Sequence, residues 1–334
     1  MSIPAKEFFV LGEVRHGRIH SVSCELAGKA RELADSVGGT VSVVLFCDEL
    51  RDDPETLVKR GADRVLIVQH PTFALYDQEA EIRSLAHLAR RYEPEVLLAP
   101  ATTSGRTTLP AVAALLETGL TADCTGLEME PGSGLLLQTR PAIGGNVMAT
   151  IKTPDRRPQM ATVRPRTFRV PPEAERSGRV EYPAPPPSCF QSRVQNIGFE
   201  RAQEGESDIQ DRDVVVSGGK GLKRPETFRL LEELAALLGG GVGASRPVVE
   251  AKWIGYSHQV GLSGKVVAPK IYFAVGISGA VQHLAGMQTA GLVVAVNRDP
   301  EASIFRVADI GLCGDLFEVL PRLNERLRAE VKGR

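Results

Sequence analysis

Apolar positions along the chain switch repeatedly between two rhythms. "EFFVLGEV", "TVSVVLF", "RVLIV" and "EVLLAP" are short, nearly continuous apolar runs of strand length. Between them, "SCELAGKARELADSV", "DPETLVKRG" and "ALYDQEAEIRSLAHLARRY" carry apolar residues at helical spacing. Strands that alternate with helices in this way build a mostly parallel sheet covered on both faces. Past the helix at "TLPAVAALLETG", the short runs "LLLQTRPAIGGNVMATI" and "QMATVRPRTFRV" are cut by Gly and Pro, a pattern that predicts appended antiparallel strands. "VPPEAERSGRVEYPAPPPSC" is too rich in proline for a helix interior or a central strand, so it reads as a linker or an extended arm. Extended chain continues to about Asp211. At "DVVVSGGKGL" the alternation resumes. The helix "PETFRLLEELAALL", predicted to bury Leu230, Leu231, Leu234 and Leu238, stops at "GGG". Strands follow at "IYFAVG", "GLVVAVN" and "VADIGL", and a last helix spans "LFEVLPRLNERLRAE".

The predicted fold class is therefore α/β in two domains. Residues 1–190 form a mostly parallel α/β sheet with appended antiparallel strands, 191–211 an extended linker, and 212–334 a second, doubly wound parallel sheet. A length of 334 residues suits two such cores. The net charge of −1 provides no field to gather nucleic acid or an anionic membrane. No apolar run has the roughly 18–20 residues of a membrane helix, and "MSIPAKEFFVLGEV" lacks the features of a secretory signal, so a soluble, cytoplasmic protein is expected. Cys24, Cys47, Cys124, Cys189 and Cys313 are too scattered for a disulfide framework or a CxxC pair. In "HGRIH", His16 and His20 have zinc-helix spacing but enclose a glycine and lack the adjacent glutamate, which argues against a metal site.

Ligands of open parallel sheets lie beyond the carboxyl ends of the strands. The second domain offers five glycine turns at such places: "SGGKG" (217–221), "GVGASR" (241–246), "QVGLSGK" (259–265), "GISGAVQH" (276–283) and "CGD" (313–315). One turn is weak evidence, but the set favours a dinucleotide. None has GxGxxG spacing, which speaks against the common NAD fingerprint.

The run "GASR…QVGLSGKVVAPKIYFAVGISGAVQHLAGM…VNRDPEASIFRVADIGLCGDLFEVLP" resembles the FAD domain of the electron-transfer flavoprotein alpha subunit, or FixB, family. "LTADCTGLE" and "LLQTRPAIGGNVMATI" resemble its N-terminal domain. The resemblance implies a Rossmann-like C-terminal sheet that binds FAD, and a heterodimer in which a beta subunit contacts the N-terminal domain and carries a second FAD or AMP. It implies an electron carrier that works between acyl-CoA or similar dehydrogenases and a quinone reductase or other acceptor. It also implies FAD contacts at Lys220, Ser245, Arg246, Val260, Gly261, Leu262, Ser263, Ser278, Gly279, Ala280, Val281, Gln282, His283, Asn297, Asp315 and Leu316. Two positions depart from the common family pattern: lysine at 220, where arginine is frequent, and "LSG" in place of "QTG".

Reduction puts negative charge on the N1–C2=O edge of a flavin, and a donor or cation aimed there favours the reduced ring. The resemblance gives that role to His283, with Arg246 as a fixed charge near the ring, Ser263 as a donor to N5, and Gln282 at the ribityl or phosphate region. Plainer roles stand beside these. Arg246 has Glu250 within one helical turn, and Asp315 and Ser278 are both placed to cap helices. Within the family, "LSG" and the "RPVVEAKWI" that follows Ser245 point to flavin-based electron bifurcation from NADH, with two FAD per heterodimer. From another class, an NAD-dependent soluble dehydrogenase on a similar sheet remains the alternative, although it lacks its glycine fingerprint.

Overall fold

Glu7–Leu11 (β1) is buried at every position after the first, as suits a strand covered on both faces. The structure, a computed structural model, describes residues 6–75, 77–142, 147–194, 196–198 and 209–332. The chain divides into two units, Met1–Glu200 and Arg201–Arg334.

In the first unit, Val14–Arg15 (β2) and Arg18–Ile19 (β3) form a hairpin whose turn holds His16 and Gly17 at φ 52° and 77°, the left-handed pair that a two-residue turn requires. His20 caps the next helix, its Nδ1 accepting from Val22 N at 3.3 Å. The two histidines of "HGRIH" thus serve a turn and a cap and do not share a helix face.

The elements that follow are Ser21–Asp35 (α1), Thr40–Cys47 (β4), Glu55–Lys59 (α2), Arg64–Gln69 (β5), Gln78–Tyr92 (α3), Val96–Pro100 (β6), Thr103–Leu115 (α4) and Leu120–Cys124 (β7). Then come Gly126–Met129 (β8), Leu136–Pro141 (β9), Met148–Ile151 (β10), Gln159–Val163 (β11) and Arg179–Glu181 (β12). Seven strands join in the order β12-β5-β4-β1-β6-β11-β7, and every pairing is parallel.

The antiparallel expectation holds for β9 and β10, which together with β8 form a separate three-stranded sheet; residues 143–146 of that stretch lie outside the described residues. It fails for "QMATV". All five residues of β11 are buried, and the strand enters the main sheet in parallel between β6 and β7. A strand with no polar face belongs between two covered layers. Its Gln159 is satisfied there, accepting from Leu136 N at 2.7 Å.

The proline-rich segment is an arm laid on this unit. β12 pairs with β5, Arg60 donates to the Pro171 carbonyl at 2.6 Å, and the Phe190 ring stacks on His70 with centroids 3.9 Å apart. Residues 199–208, predicted as extended, lie outside the described residues.

Strand order reverses between β1 and β6, the usual place for a ligand. Here Glu13 follows β1, and Glu81 accepts from Thr108 within α4 and Ser104 in its first turn, 2.8 and 3.4 Å away. Burial pushes the Glu81 pKa up to about 7, with the charge of Glu13 adding to the rise. Carboxylates at this position disfavour a phosphate.

The second unit contains Val214–Gly218 (β13), Phe228–Leu237 (α5), Gly241–Ala244 (β14), Arg246–Glu250 (α6), Ile271–Val275 (β15), Val281–Leu284 (α7), Leu292–Asn297 (β16), Ile310–Cys313 (β17) and Leu316–Lys332 (α8). Its sheet runs β14-β13-β15-β16-β17, parallel throughout. "GVGA" is its edge strand, not a turn. Glycine fits at 243 where a larger residue would not without a shift, since a Cβ there would stand 2.2 Å from Ser217 Oγ on β13. One face packs on α5 and α8, where Leu231 and Leu234 are fully buried and Leu230 and Leu238 partly so. The other packs Val215, Tyr272 and Ala295 against Val260, Ile277, Met287 and Ile304.

Candidate functional site

Loops at the carboxyl ends of the second sheet are fastened to one another through the main chain. Ser245 N donates to Gly218 O (3.0 Å), Val260 N to Ala244 O (2.8 Å) and Leu262 N to Gln282 O (2.7 Å). Ile304 N donates to Ser278 O (3.0 Å), Gly221 N to Gly276 O (3.0 Å) and Gly314 N to Asn297 O (3.0 Å). All the residues that the resemblance implicates lie on these connected loops. Such close approach requires glycine. Gly261 and Gly279 have φ of 145° and 87°, and a Cβ on Gly279 would stand 2.3 Å from Ile304 N.

At one end of the site a cavity of about 110 Å³ is lined by Lys220, Lys223, Asn297, Arg298, Asp315 and Leu316, among others. Three of these side chains are cationic, which suits an anionic group. The Lys223 ammonium also sits 4.9 Å from the Phe317 ring centroid. Asn297 donates to Ile277 O at 2.9 Å, tying β16 to the turn after β15. The capping role weighed for Asp315 is present, since its Oδ1 accepts from Phe317 N at 2.9 Å at the head of α8. Ser278 does not cap. The one-turn α7 begins at Val281 with Ala280 at the cap position, so Ser278 lies too far upstream and its side chain is exposed.

At the other end, two apolar side chains stand in solvent on the loops joined by the Leu262–Gln282 bond: Leu262 is 73% exposed and Val281 56%. Gln282 is exposed beside them. Ser245 is buried at the head of α6. Arg246 is 64% exposed and pairs with Glu250 at 2.7 Å, the neighbour that sequence spacing offers. Ser263 Oγ accepts from Gln259 Nε2 at 3.1 Å, which leaves its own proton available to donate.

His283 departs from expectation. Sequence reasoning made it a donor or cation for a ligand, yet it is buried, with Nδ1 3.1 Å from Val260 O and Nε2 2.9 Å from the Tyr272 hydroxyl. Burial holds its pKa down at about 4, so it is neutral at pH 7. Both ring nitrogens are engaged inside the chain. Sequence reasoning also missed Lys223, Arg298 and Tyr272. The signal for the first two was a cation within a few residues of a strand's carboxyl end. For Tyr272 it was a hydroxyl in the otherwise apolar strand "IYFAV".

Residues 9–188 match the Electron transfer flavoprotein domain, and residues 208–288 match the Electron transfer flavoprotein FAD-binding domain. An electron transfer flavoprotein subunit alpha of Thermoanaerobacterium thermosaccharolyticum is 45% identical over 97% of this chain and 98% of its own length. Protein FixB of Clostridium saccharobutylicum is 42% identical over 95% of each. A lactate dehydrogenase (NAD(+),ferredoxin) subunit LctC of Acetobacterium woodii is 39% identical over 92% of this chain and 73% of its own length. With both of its units matched and these identities sustained over nearly its full length, the chain belongs to the electron transfer flavoprotein alpha subunit family.

Proposed function

We propose that this chain pairs with a beta subunit and holds one FAD across the carboxyl ends of its second sheet, passing electrons from acyl-CoA or similar dehydrogenases to a quinone reductase or another acceptor. The observation that carries the reading is the pairing of a cationic cavity at Lys220, Lys223 and Arg298 with exposed Leu262 and Val281 on the same set of connected loops. A pyrophosphate matches the first and a flat, partly apolar ring the second. Bound there, the flavin supplies one-electron chemistry.

The chain's own residues bind, orient and tune. Lys220, Lys223 and Arg298 offset phosphate charge, and the exposed Ser278, next to the buried Gly279, offers its hydroxyl to the same anion. Ser245 and Asn297 shape the loops on either side. Leu262 and Val281 exclude water from a ring, Ser263 retains a proton to donate, and Arg246 can exchange Glu250 for the ring's negative edge. His283 contributes shape and a neutral dipole. The first unit, including its three-stranded sheet, is the surface assigned to the beta subunit.

The test is a visible spectrum and a flavin count on the purified heterodimer, with Arg246→Ala alongside. Flavin bands near about 370 and 450 nm are expected, with a potential in the variant lowered by tens of mV, where about 59 mV is tenfold for one electron. A colourless complex overturns the proposal, and an unchanged potential removes the role of Arg246.

A second reading is flavin-based bifurcation, favoured by the relative named for NAD(+) and ferredoxin. Two FAD per heterodimer supports it, whereas one FAD with one AMP supports the plain carrier.

A further inference from the structure

Tyr272, the second residue of β15, has no exposed surface and sits among Val215, Val260, Ile277 and Met287. A hydroxyl in that setting needs a partner. Its oxygen is 2.9 Å from His283 Nε2, and His283 Nδ1 is 3.1 Å from the Val260 carbonyl. Each of these contacts constrains the next. A carbonyl only accepts, so Nδ1 carries the proton; a neutral ring then has its lone pair at Nε2, and the phenol must donate into it. Neither group trades its proton near neutral pH, because burial lowers the imidazole and raises the phenol. The buried Ser217 hydroxyl of the neighbouring β13 lies beside the phenol without a well-formed hydrogen bond of its own.

Val260 opens the loop that carries Gly261, Leu262 and Ser263. That loop is tied to β14 through Val260 N, to α7 through Leu262 N, and to itself through Gly264 N donating to Gly261 O at 3.0 Å. His283 adds the link from the loop's first carbonyl back into the core. We propose that Tyr272 is the positioning residue of this site: its O–H, donating to Nε2, anchors His283 in the Nδ1–H form that the Val260 carbonyl selects, and through that ring it sets the spacing between the Val260–Ser263 loop and the Ser278–His283 turn. Its bearing on FAD rests on the function proposed above, while the tautomer and the loop spacing are properties of the chain alone.

Tyr272→Phe removes one oxygen and keeps the ring. In the full chain with its beta subunit, stripped of flavin and labelled with ¹⁵N-histidine, NMR at pH 7 should show His283 of the unsubstituted protein as a single Nδ1–H tautomer. In Tyr272→Phe that signal should shift or split, exchange of the Leu262 amide should speed up by about tenfold, and FAD should bind about tenfold more weakly. In a His283→Gln background, removing the same oxygen should change FAD affinity by less than twofold, because the effect passes through His283. An Nε2–H tautomer or an imidazolium in the unsubstituted protein overturns the proposal. So does an unchanged tautomer signal in Tyr272→Phe, or an equal affinity loss in both backgrounds. If neither protein binds FAD, the flavin reading fails, and the tautomer and Leu262 exchange still decide the positioning role. If Tyr272→Phe does not fold, the tautomer in the unsubstituted protein and the loss of Leu262 protection in His283→Gln decide it.

Discussion

Glu81→Gln should change how the first unit's stability depends on pH. Glu81 lies in the first turns of α3, almost entirely buried, its Oε1 accepting from Thr108 at 2.8 Å and Ser104 at 3.4 Å. Burial raises its pKa from 4.5 to about 7, against the pull of the two hydroxyls. In the unfolded chain the carboxyl ionises near its ordinary value. As pH rises from 4.5 towards 7, the unfolded state therefore loses this proton before the folded state does, and folding stability falls. Above pH 7 both states are ionised and the loss is complete; below 4.5 both are protonated and there is none. The difference corresponds to about 3 kcal/mol. Glutamine never ionises and still offers a carbonyl to Thr108. Opening free energies for peptides covering 78–115, from hydrogen-exchange mass spectrometry corrected for intrinsic rates, provide the assay. The variant should match the unsubstituted protein near pH 4.5, gain steadily, and level off about 3 kcal/mol more stable by pH 8. A difference between the two proteins that stays constant from pH 5 to 8 would refute the reasoning.

Gly279→Ala places a Cβ 2.3 Å from Ile304 N at a φ of 87°. A strain of about 1–3 kcal/mol should lower the unfolding temperature, followed by fluorescence of Trp253, and reduce bound FAD. Asp123→Asn takes the charge from the partner of Arg164, a nearly buried guanidinium that donates to both carboxylate oxygens at 3.2 and 2.7 Å. Urea unfolding should show a loss of about 2–3 kcal/mol at neutral pH. Burial pushes the Asp123 pKa up, but Arg164, Arg106 and Arg140 more than reverse it, leaving it lowered. The pair's contribution is therefore complete above the carboxylate's ordinary pKa and lost as pH falls through the lowered value, so the two proteins should converge in acid.

The alternation of buried runs and amphipathic stretches along the chain was enough to place β1, β4, β5, β6, β13, β15 and β16 and helices α1 to α5 and α8, because which face of an element avoids water is written in its own residues. The glycine turns likewise marked loops that the structure ties together at the carboxyl ends of the second sheet, and their order carried the family resemblance. Local pattern does not name partners. "QMATV" declared itself buried, but its parallel place between β6 and β7 depends on partners 63 and 40 residues earlier in the chain, Val96 to Gln159 and Leu120 to Met160. "GVGA" is an edge strand because it pairs with β13 alone, a strand earlier in the chain whose Ser217 lies opposite Gly243. The proline-rich arm found β5 and His70 more than 100 residues upstream. The clearest case is His283, whose residue type suggests a cation and whose position suggests a ligand contact. Its neutral state instead follows from burial, and its tautomer from the Val260 carbonyl and the Tyr272 hydroxyl that folding brings to its two nitrogens. Charge state is a property of the surroundings, and the surroundings are assembled through space.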